Sequence, residues 1–373
     1  MTALIYGPLL LFTVAYAGMV LWLWRGLYRL KGAGPAADPP VSVIVSARNE
    51  EKVLPDLLNA LLSQDYPPER YQVLIVDDAS EDGTLDILRE YAKKARGRLR
   101  IVEAKNRAQA ASPKRNALKC GIESASGDIL LFTDADCIPP RGWIRGMTAL
   151  FSRGVGMVIG YSPIEIPPVR GLGGHLLALE SLSLAAVAAG STGQGHPATC
   201  TGRNMAYRRR LYHDIGGFSQ IHNVRSGDDD LVLMRVRSLT RWRVVYAYDA
   251  DLAVPTQRPR DLTSFIHQRL RHASKGFLYE KHRIAILSLV YLYNLLLIAA
   301  LAGSAAAIYG AVPWLCLAAK SAAEALLLGT FAARMRRRRY LASLLPALFI
   351  HPVYVVLFGA LGNVIKYRWK SDL

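Results

Sequence analysis

Hydrophobic positions fall into two patterns along the chain. At its ends they form long runs, over 3–24, 284–309, 311–333 and 341–365. Each run is long enough to cross a bilayer core, which takes about 20 helical residues. Between them, short apolar runs alternate with helically spaced ones. Val41–Val45, Val73–Val76, Leu99–Val102 and Ile129–Phe132 read as buried strands bounded by turn formers. Val53, Leu54, Leu57, Leu58, Leu61 and Leu62 have helical spacing and stop at Tyr66-Pro67-Pro68. Thr84–Lys94 and Pro113–Ser124 read as two further helices. Strands alternating with helices imply an α/β fold with a doubly wound parallel sheet, whose ligands bind at the carboxyl ends of the strands. The pattern divides the chain into an anchor over 1–24, a linker over 25–40 ending in GAGPAADPP, an α/β unit over 41–255, an interface segment over 256–283 and a membrane region over 284–373. No internal repeat is visible.

Composition sharpens this division. Of 373 residues, 51% are hydrophobic and 20% charged, which excludes a disordered chain and points to a membrane component. The net charge is +17. Residues 1–24 carry no charge, and Arg25, Arg29 and Lys31 follow directly. From Lys281 onward, eleven Lys and Arg face only Glu324 and Asp372. Basic residues flanking apolar runs are positive-inside signals and contacts to anionic lipid, not a nucleic-acid stripe. Because charge follows the first run, an uncleaved anchor with residue 25 onward in the cytoplasm is expected, rather than a signal peptide. Lys320 and Glu324 lie four apart within the third run, so they share a helix face, turned toward protein or the active-site side rather than lipid. The four scattered cysteines imply neither a disulfide framework nor a zinc site.

The strand ends are acidic. The first strand leads into Arg48-Asn49-Glu50-Glu51, the second into DDASEDG (77–83), and the fourth into Asp134-Ala135-Asp136. One such acid is often a helix cap, as Asp82 and Asp77 can be. Three acidic clusters on one sheet edge repel one another unless positive charge lies among them. A hard divalent cation held by one or two carboxylates and substrate phosphates would supply it.

VSVIVSARNEE, VDDASEDGT, the DAD of 134–136 and GDDDL (227–231) together resemble family 2 glycosyltransferases of the GT-A fold, of the bacterial lipid and ceramide type. Gln268-Arg269-Leu270-Arg271-His272 resembles that family's Q-x-x-R-W motif with His272 in place of Trp. TGRNMAYRR (201–209) with Gly216-Gly217-Phe218 resembles its acceptor-side segment. The resemblance covers about 41–275. It implies a nucleotide-sugar donor, most simply a UDP-sugar, a Mg²⁺ or Mn²⁺ ion, and inversion at the anomeric carbon.

On that resemblance, Asn49, Glu51, Asp78, Lys114, Arg115, Asp134, Gln268 and Arg271 are donor-binding, with Asp78 accepting from the base. Lys114 and Arg115 open a helix, where cations and backbone N–H groups suit a diphosphate. Asp136 holds the metal, with Asp134 beside the metal or the ribose. Asn204, Met205 and Gly217 line the acceptor side. An inverting displacement needs one carboxylate to take the acceptor's proton. Anchoring the family's E-D-x-D-L-x-x-R motif on Arg235 makes it Asp229, the assignment taken here; anchoring on Asp230-Leu231 makes it Asp228.

Leu262, Ile266, Leu270, Ala273 and Phe277 share one helical face, opposite Gln268, Arg271 and Lys275, as in a helix lying in a membrane interface. The expected protein is a multi-pass enzyme of the inner or plasma membrane, its catalytic unit cytoplasmic, glycosylating a membrane lipid. It has no nucleic-acid partner. The alternative is a processive polysaccharide synthase, for which four or fewer spans make a poor channel; a non-catalytic scaffold would have eroded carboxylates. One segment conflicts with the charge rule. A crossing by 341–365 puts Lys366, Arg368 and Lys370 outside. His351-Pro352 stands mid-segment, so a re-entrant helical pair returning the tail to the cytoplasm is expected.

Overall fold

The computed structural model describes the whole chain except residues 1, 33, 35–37, 106–110, 167, 219–226, 260, 275–279, 363 and 366–373. In chain order its elements are α1 (Thr2–Leu27), β1 (Val41–Ala47), α2 (Leu54–Leu62), β2 (Tyr71–Asp77), α3 (Thr84–Lys94), β3 (Leu99–Glu103), α4 (Pro113–Glu123), β4 (Ile129–Phe132), α5 (Trp143–Thr148), β5 (Val155–Gly160) and β6 (Ile164–Ile166). They continue as α6 (Gly171–Gly193), β7 (Met205–Arg208), α7 (Arg209–Asp214), α8 (Asp230–Leu239), β8 (Arg243–Ala247), β9 (Thr256–Gln257), α9 (Leu262–Ala273), α10 (Lys281–Ala305), α11 (Val312–Arg334) and α12 (Leu344–Leu361).

The main sheet has the order β3-β2-β1-β4-β7-β5-β8. β1, β2, β3 and β4 pair in parallel, as the alternation predicts. The sheet is nevertheless mixed, because β7 runs antiparallel to both β4 and β5. β6 and β9 form a separate parallel pair. β1 and β2 are buried on both faces, hence their near-continuous apolar sequence.

Alternate strand residues feed two cores. Val41, Val43 and Val45 pack with Leu54, Leu57, Leu58 and Leu61 of α2 and with Trp143 of α5. Ile44, Leu74, Leu130 and Phe132 point the other way, into a core that also holds Val20, Leu23 and Leu27 of α1, Leu179 and Leu182 of α6, and Leu327, Leu328 and Phe331 of α11. The apolar end helices therefore share a core with the catalytic sheet instead of hanging from it by linkers.

Five helical segments are long and apolar enough to cross a membrane, among the described residues: Ile5–Leu27, Gly171–Gly193, Lys281–Ala305, Val312–Arg334 and Arg338–Leu361. Gly171–Gly193, which is α6, was not expected from sequence. Its connections make it a helix of the α/β unit. The main-sheet strands that flank it in sequence, β5 and β7, pair directly, and Ser181 Oγ donates to Ser162 O at 3.0 Å. It lies on α1 through glycines: a Cβ on Gly190 would sit 2.5 Å from Leu23 O, and one on Gly193 would overlap Gly26 O.

The Lys320–Glu324 pair faces protein. Lys320 is fully buried, with Nζ 2.7 Å from Glu324 Oε1 and 3.1 Å from His351 Nδ1. Tyr16 Oη of α1 donates to Glu324 at 2.5 Å. Three helices are thus joined by one polar cluster. The expected re-entrant pair is not observed: Leu344–Leu361 is one uninterrupted helix with Pro352 inside. Proline removes one backbone donor, which a packed helix tolerates. The basic tail 366–373 lies outside the described residues.

α11 ends in a turn that satisfies its last carbonyls. Arg337 N donates to Ala332 O at 2.8 Å and Arg336 N to Ala333 O at 3.3 Å, the two bonds of a Schellman cap. Such a cap needs left-handed backbone, usually supplied by glycine. Here Arg336 adopts it, at φ 55°, at a cost of about 1 kcal/mol.

Candidate active site

The carboxyl ends of β1, β2 and β4 bring the acidic clusters to one edge. Lys114, in the first turn of α4, stands among them. Its Nζ is 2.6 Å from Asp134 Oδ1 and 3.5 Å from Asp228 Oδ2. Burial works against the Lys114 charge, but Asp134 and Asp228 outweigh it and raise its pKa well above the ordinary lysine value. Burial likewise opposes ionisation of Asp134, yet Lys114 and Arg203 hold its carboxyl below the usual range. Part of the positive charge expected among the acids is therefore a side chain. Arg115 is buried one residue on, where burial lowers its pKa and Asp228 partly restores it. Ser112 caps α4 by accepting from Arg115 N at 3.4 Å.

Asp136 lies on the other side of Asp134. Its Oδ1 accepts from Thr256 Oγ1 at 3.4 Å and lies 3.7 Å from Cys137 Sγ. Burial, with the Asp136 and Asp134 carboxylates, pushes the Cys137 thiol up to about 12. Among the described residues, no three His, Cys, Asp or Glu side chains form a metal cage. Two hard-oxygen donors two residues apart nevertheless fit Mg²⁺ or Mn²⁺, which substrate phosphates complete.

The three aspartates of GDDDL separate by environment. Asp230 accepts from Thr199 Oγ1 at 2.8 Å and Cys200 N at 3.1 Å, and is buried. Asp229 caps α8, its Oδ1 accepting from Asp230 N at 2.8 Å and its Oδ2 from Gly202 N at 3.2 Å. Asp228, 13% exposed, faces Lys114.

At the β2 end, Asp78 is buried. Burial first, then Asp77, lifts its pKa to about 6 against the pull of Arg48. Asn49 and Glu51 stitch the loops after β1 and β2 together. Glu81 N donates to Asn49 Oδ1 at 2.8 Å, and Gly83 N to Glu51 Oε2 at 2.9 Å.

Asn204, Met205 and Gly217 are taken up by the fold. Asn204 is fully buried; it accepts from Trp143 Nε1 at 2.9 Å and donates to Tyr161 O at 2.8 Å and Leu252 O at 2.9 Å. Met205 is buried inside β7. Both shape the wall behind Gly202 and Arg203 and present no side chain to an acceptor. Gly217 has φ 56°, and a Cβ there would meet the Tyr212 ring at 2.9 Å, so it serves a turn. Gln268 and Arg271 lie on α9, which packs on α12. Leu262 and Ile266 of α9 are exposed while Leu270 is buried, which suits an interfacial helix; Lys275 and Phe277 lie outside the described residues. Between Gln268 and Arg271, Arg269 is buried against Glu180 of α6, which also takes the Tyr354 hydroxyl of α12. Arg203 and Thr256 are the site residues that sequence reasoning passed over. Arg203 lay within TGRN, but nothing there showed that it faces Asp134.

This edge belongs to a known class. Residues 42–216 match the family "Glycosyl transferase family 2", and this part of the chain belongs to that family, on a GT-A fold. It is 41% identical over 130 residues to the glycosyltransferase AglE of Haloferax volcanii, covering 35% of this chain and 41% of that one. It is 29% identical over 247 residues to a beta-monoglucosyldiacylglycerol synthase of Synechocystis, covering 64% of this chain and 48% of that one. The chain spans less than half the length of these curated relatives. In structure it is similar to the mannosyltransferase PcManGT from Pyrobaculum calidifontis, solved with GDP-Man and Mn²⁺. That TM-score is 0.60 at 23% identity, covering 92% of this chain and 99% of that chain.

Proposed function

We propose that the chain is a membrane-bound, inverting glycosyltransferase that moves a sugar from a nucleotide-sugar, expected to be a UDP-sugar, to a membrane lipid at the cytoplasmic face. The observation that carries this reading is the convergence of Lys114, Asp134, Asp136 and Asp228 at a sheet edge whose core is shared with membrane-length helices. The similarity to a glycolipid synthase over 64% of the chain supports a lipid acceptor.

Lys114 and the α4 N-terminus bind the donor diphosphate. Asp136, with Asp134, would hold Mg²⁺ or Mn²⁺, which neutralises charge gathering on the departing nucleotide diphosphate. Asp78 accepts a hydrogen bond from the imide N–H of the base. Asp228 takes the acceptor hydroxyl's proton as that oxygen attacks the anomeric carbon from the face opposite the diphosphate. Asp228 is preferred to Asp229 because both Asp229 oxygens already accept backbone N–H groups. Asp228 instead faces Lys114 Nζ at 3.5 Å.

The decisive experiment offers purified protein a panel of labelled nucleotide sugars with extracted membrane lipids and identifies the product by mass. A soluble oligosaccharide, or no transfer at all, rejects the reading. Asp136→Asn should bind UDP equally with Mg²⁺, with Mn²⁺ or with EDTA, whereas the parent protein should lose affinity in EDTA. Unchanged calorimetry in both removes Asp136 as the metal residue.

Asp78 gives a pH signature. Its folded pKa lies above the unfolded value, so folding disfavours its charge, fully above pH 6 and decreasingly as pH falls toward 4. The base needs the charged acceptor, whose hydrogen bond is stronger by about 1 kcal/mol. Nucleotide affinity should therefore fall about fivefold between pH 7 and pH 5. Asp78→Asn should melt higher at pH 8 and lose that pH dependence. Retention of the full pH effect in Asp78→Asn places its origin elsewhere.

A further inference from the structure

The turn after α11 lines an open pocket of about 560 Å³ with Ala333, Arg336, Arg337, Arg338, Arg339 and Glu165 of β6. Inside, Glu165 is already matched. Arg337 Nε lies 2.7 Å and Arg339 Nη2 2.9 Å from its Oε1, and the Tyr340 hydroxyl donates to it as well. At the rim, Arg336 reaches Asp251 at 2.8 Å, both side chains being largely exposed. Four guanidinium groups against two carboxylates leave a formal excess of two positive charges. Arg338 is exposed, and no described residue pairs with it. Charge rules alone ask for cations somewhere after a span; they do not ask for a concave site, nor for arginine in a left-handed position that favours glycine.

We propose that this pocket binds the phosphate of an anionic phospholipid, separately from the sugar-transfer site. The proposal rests on the membrane-bound reading above but not on the chemistry assigned to the sheet edge. Arginine suits a phosphate because its planar fork donates two parallel hydrogen bonds. The surroundings select a lipid rather than a soluble anion. The pocket sits at the end of α11 and opens the turn into α12, both of them helices long and apolar enough to cross a membrane. Along α12, Leu345, Phe349, Val353 and Leu357 are all exposed at four-residue spacing, a continuous apolar stripe that begins six residues past Arg339. A headgroup among the arginines leaves its acyl chains beside that stripe.

The test uses the full chain in a neutral sugar detergent, with dioctanoyl-phosphatidylglycerol as probe and dioctanoyl-phosphatidylcholine and inorganic phosphate as comparisons. Native mass spectrometry reads stoichiometry, and a titration reads affinity. Phosphatidylglycerol should bind saturably, more tightly than either comparison, and more weakly as salt is raised. Arg338→Ala and Arg336→Gly should each weaken it about fivefold, the scale of one basic residue at an anionic surface. Arg336→Gly carries its own control, since glycine relieves the left-handed strain and should raise the melting temperature. Weaker lipid binding in a better-folded variant is not misfolding. Equal binding of phosphate and phosphatidylglycerol, or wild-type affinity in both variants, overturns the proposal. Nucleotide binding measured on the same samples separates the two readings. Its absence, with phosphatidylglycerol still bound, counts against the sugar-transfer site alone.

Discussion

Asp228→Asn should reduce turnover by ~10²–10⁴ while the folded protein still binds nucleotide, the usual loss when a general base is removed. The substitution keeps the shape and deletes the charge, so Lys114 retains Asp134 at 2.6 Å and the donor side is little disturbed. Asp229→Asn is the informative partner. Asparagine caps a helix about as well as aspartate, so α8 should form normally and activity should persist if Asp229 is only a cap. Asp229→Ala, which removes the cap, should cost about 1 kcal/mol of stability. Steady-state kinetics on both asparagine variants, with melting curves, decides between the two alignments of GDDDL. A dead Asp229→Asn that binds nucleotide and melts normally would falsify the assignment to Asp228.

Lys320→Leu should be the most destabilising single change outside the sheet. It leaves Glu324 without its 2.7 Å partner at a largely buried position, and breaking a buried pair by removing one member costs about 3–5 kcal/mol. Tyr16 would still donate to Glu324, which softens the loss without neutralising the charge. Lys320→Leu with Glu324→Leu should recover much of it, because a matched apolar pair is often neutral or better. Thermal unfolding in detergent reads both. A single variant as stable as the double would show that the carboxyl is neutral or solvated, and the cluster would lose its role as a clasp between helices.

The βα half of the fold was legible because it is locally encoded. β4 and α3 fall on the residues their patterns predict, and β1 and β2 extend theirs by two or three residues. Each strand is an apolar run closed by turn formers. Of the elements the pattern missed, α6 is as apolar as the run over 311–333 but has no periodic stripe, and β7 is short. α6 is rich in Ala, Gly and Ser and packs on α1, α11 and the sheet, so no single apolar stripe marks it. β7 is four residues long, and its antiparallel direction follows from the path of α6, not from its own sequence.

The site was legible in the same measure. Acids closing buried strands pointed to the sheet edge. Their partners came from afar in sequence: Arg203 beside Asp134, and Thr256 on Asp136. Asn204 shows the converse. A polar residue in a family-like segment looked accessible, but its amide is consumed by Trp143, Tyr161 and Leu252. Proline at 352 suggested a break where the helix runs on uninterrupted.

The glycine seam between α1 and α6 has a consequence for choice of acceptor. At Gly26, Gly190 and Gly193 the two backbones touch, leaving no side-chain layer to slide or tilt upon. On the membrane-bound reading, the sheet edge cannot rise or sink relative to the bilayer as a swivelling head would. The height of the reacting carboxylates above the lipid surface is then a fixed length. On that same reading, an acceptor would qualify by how far its hydroxyl stands out from the membrane, and the seam would act as a ruler on the headgroup.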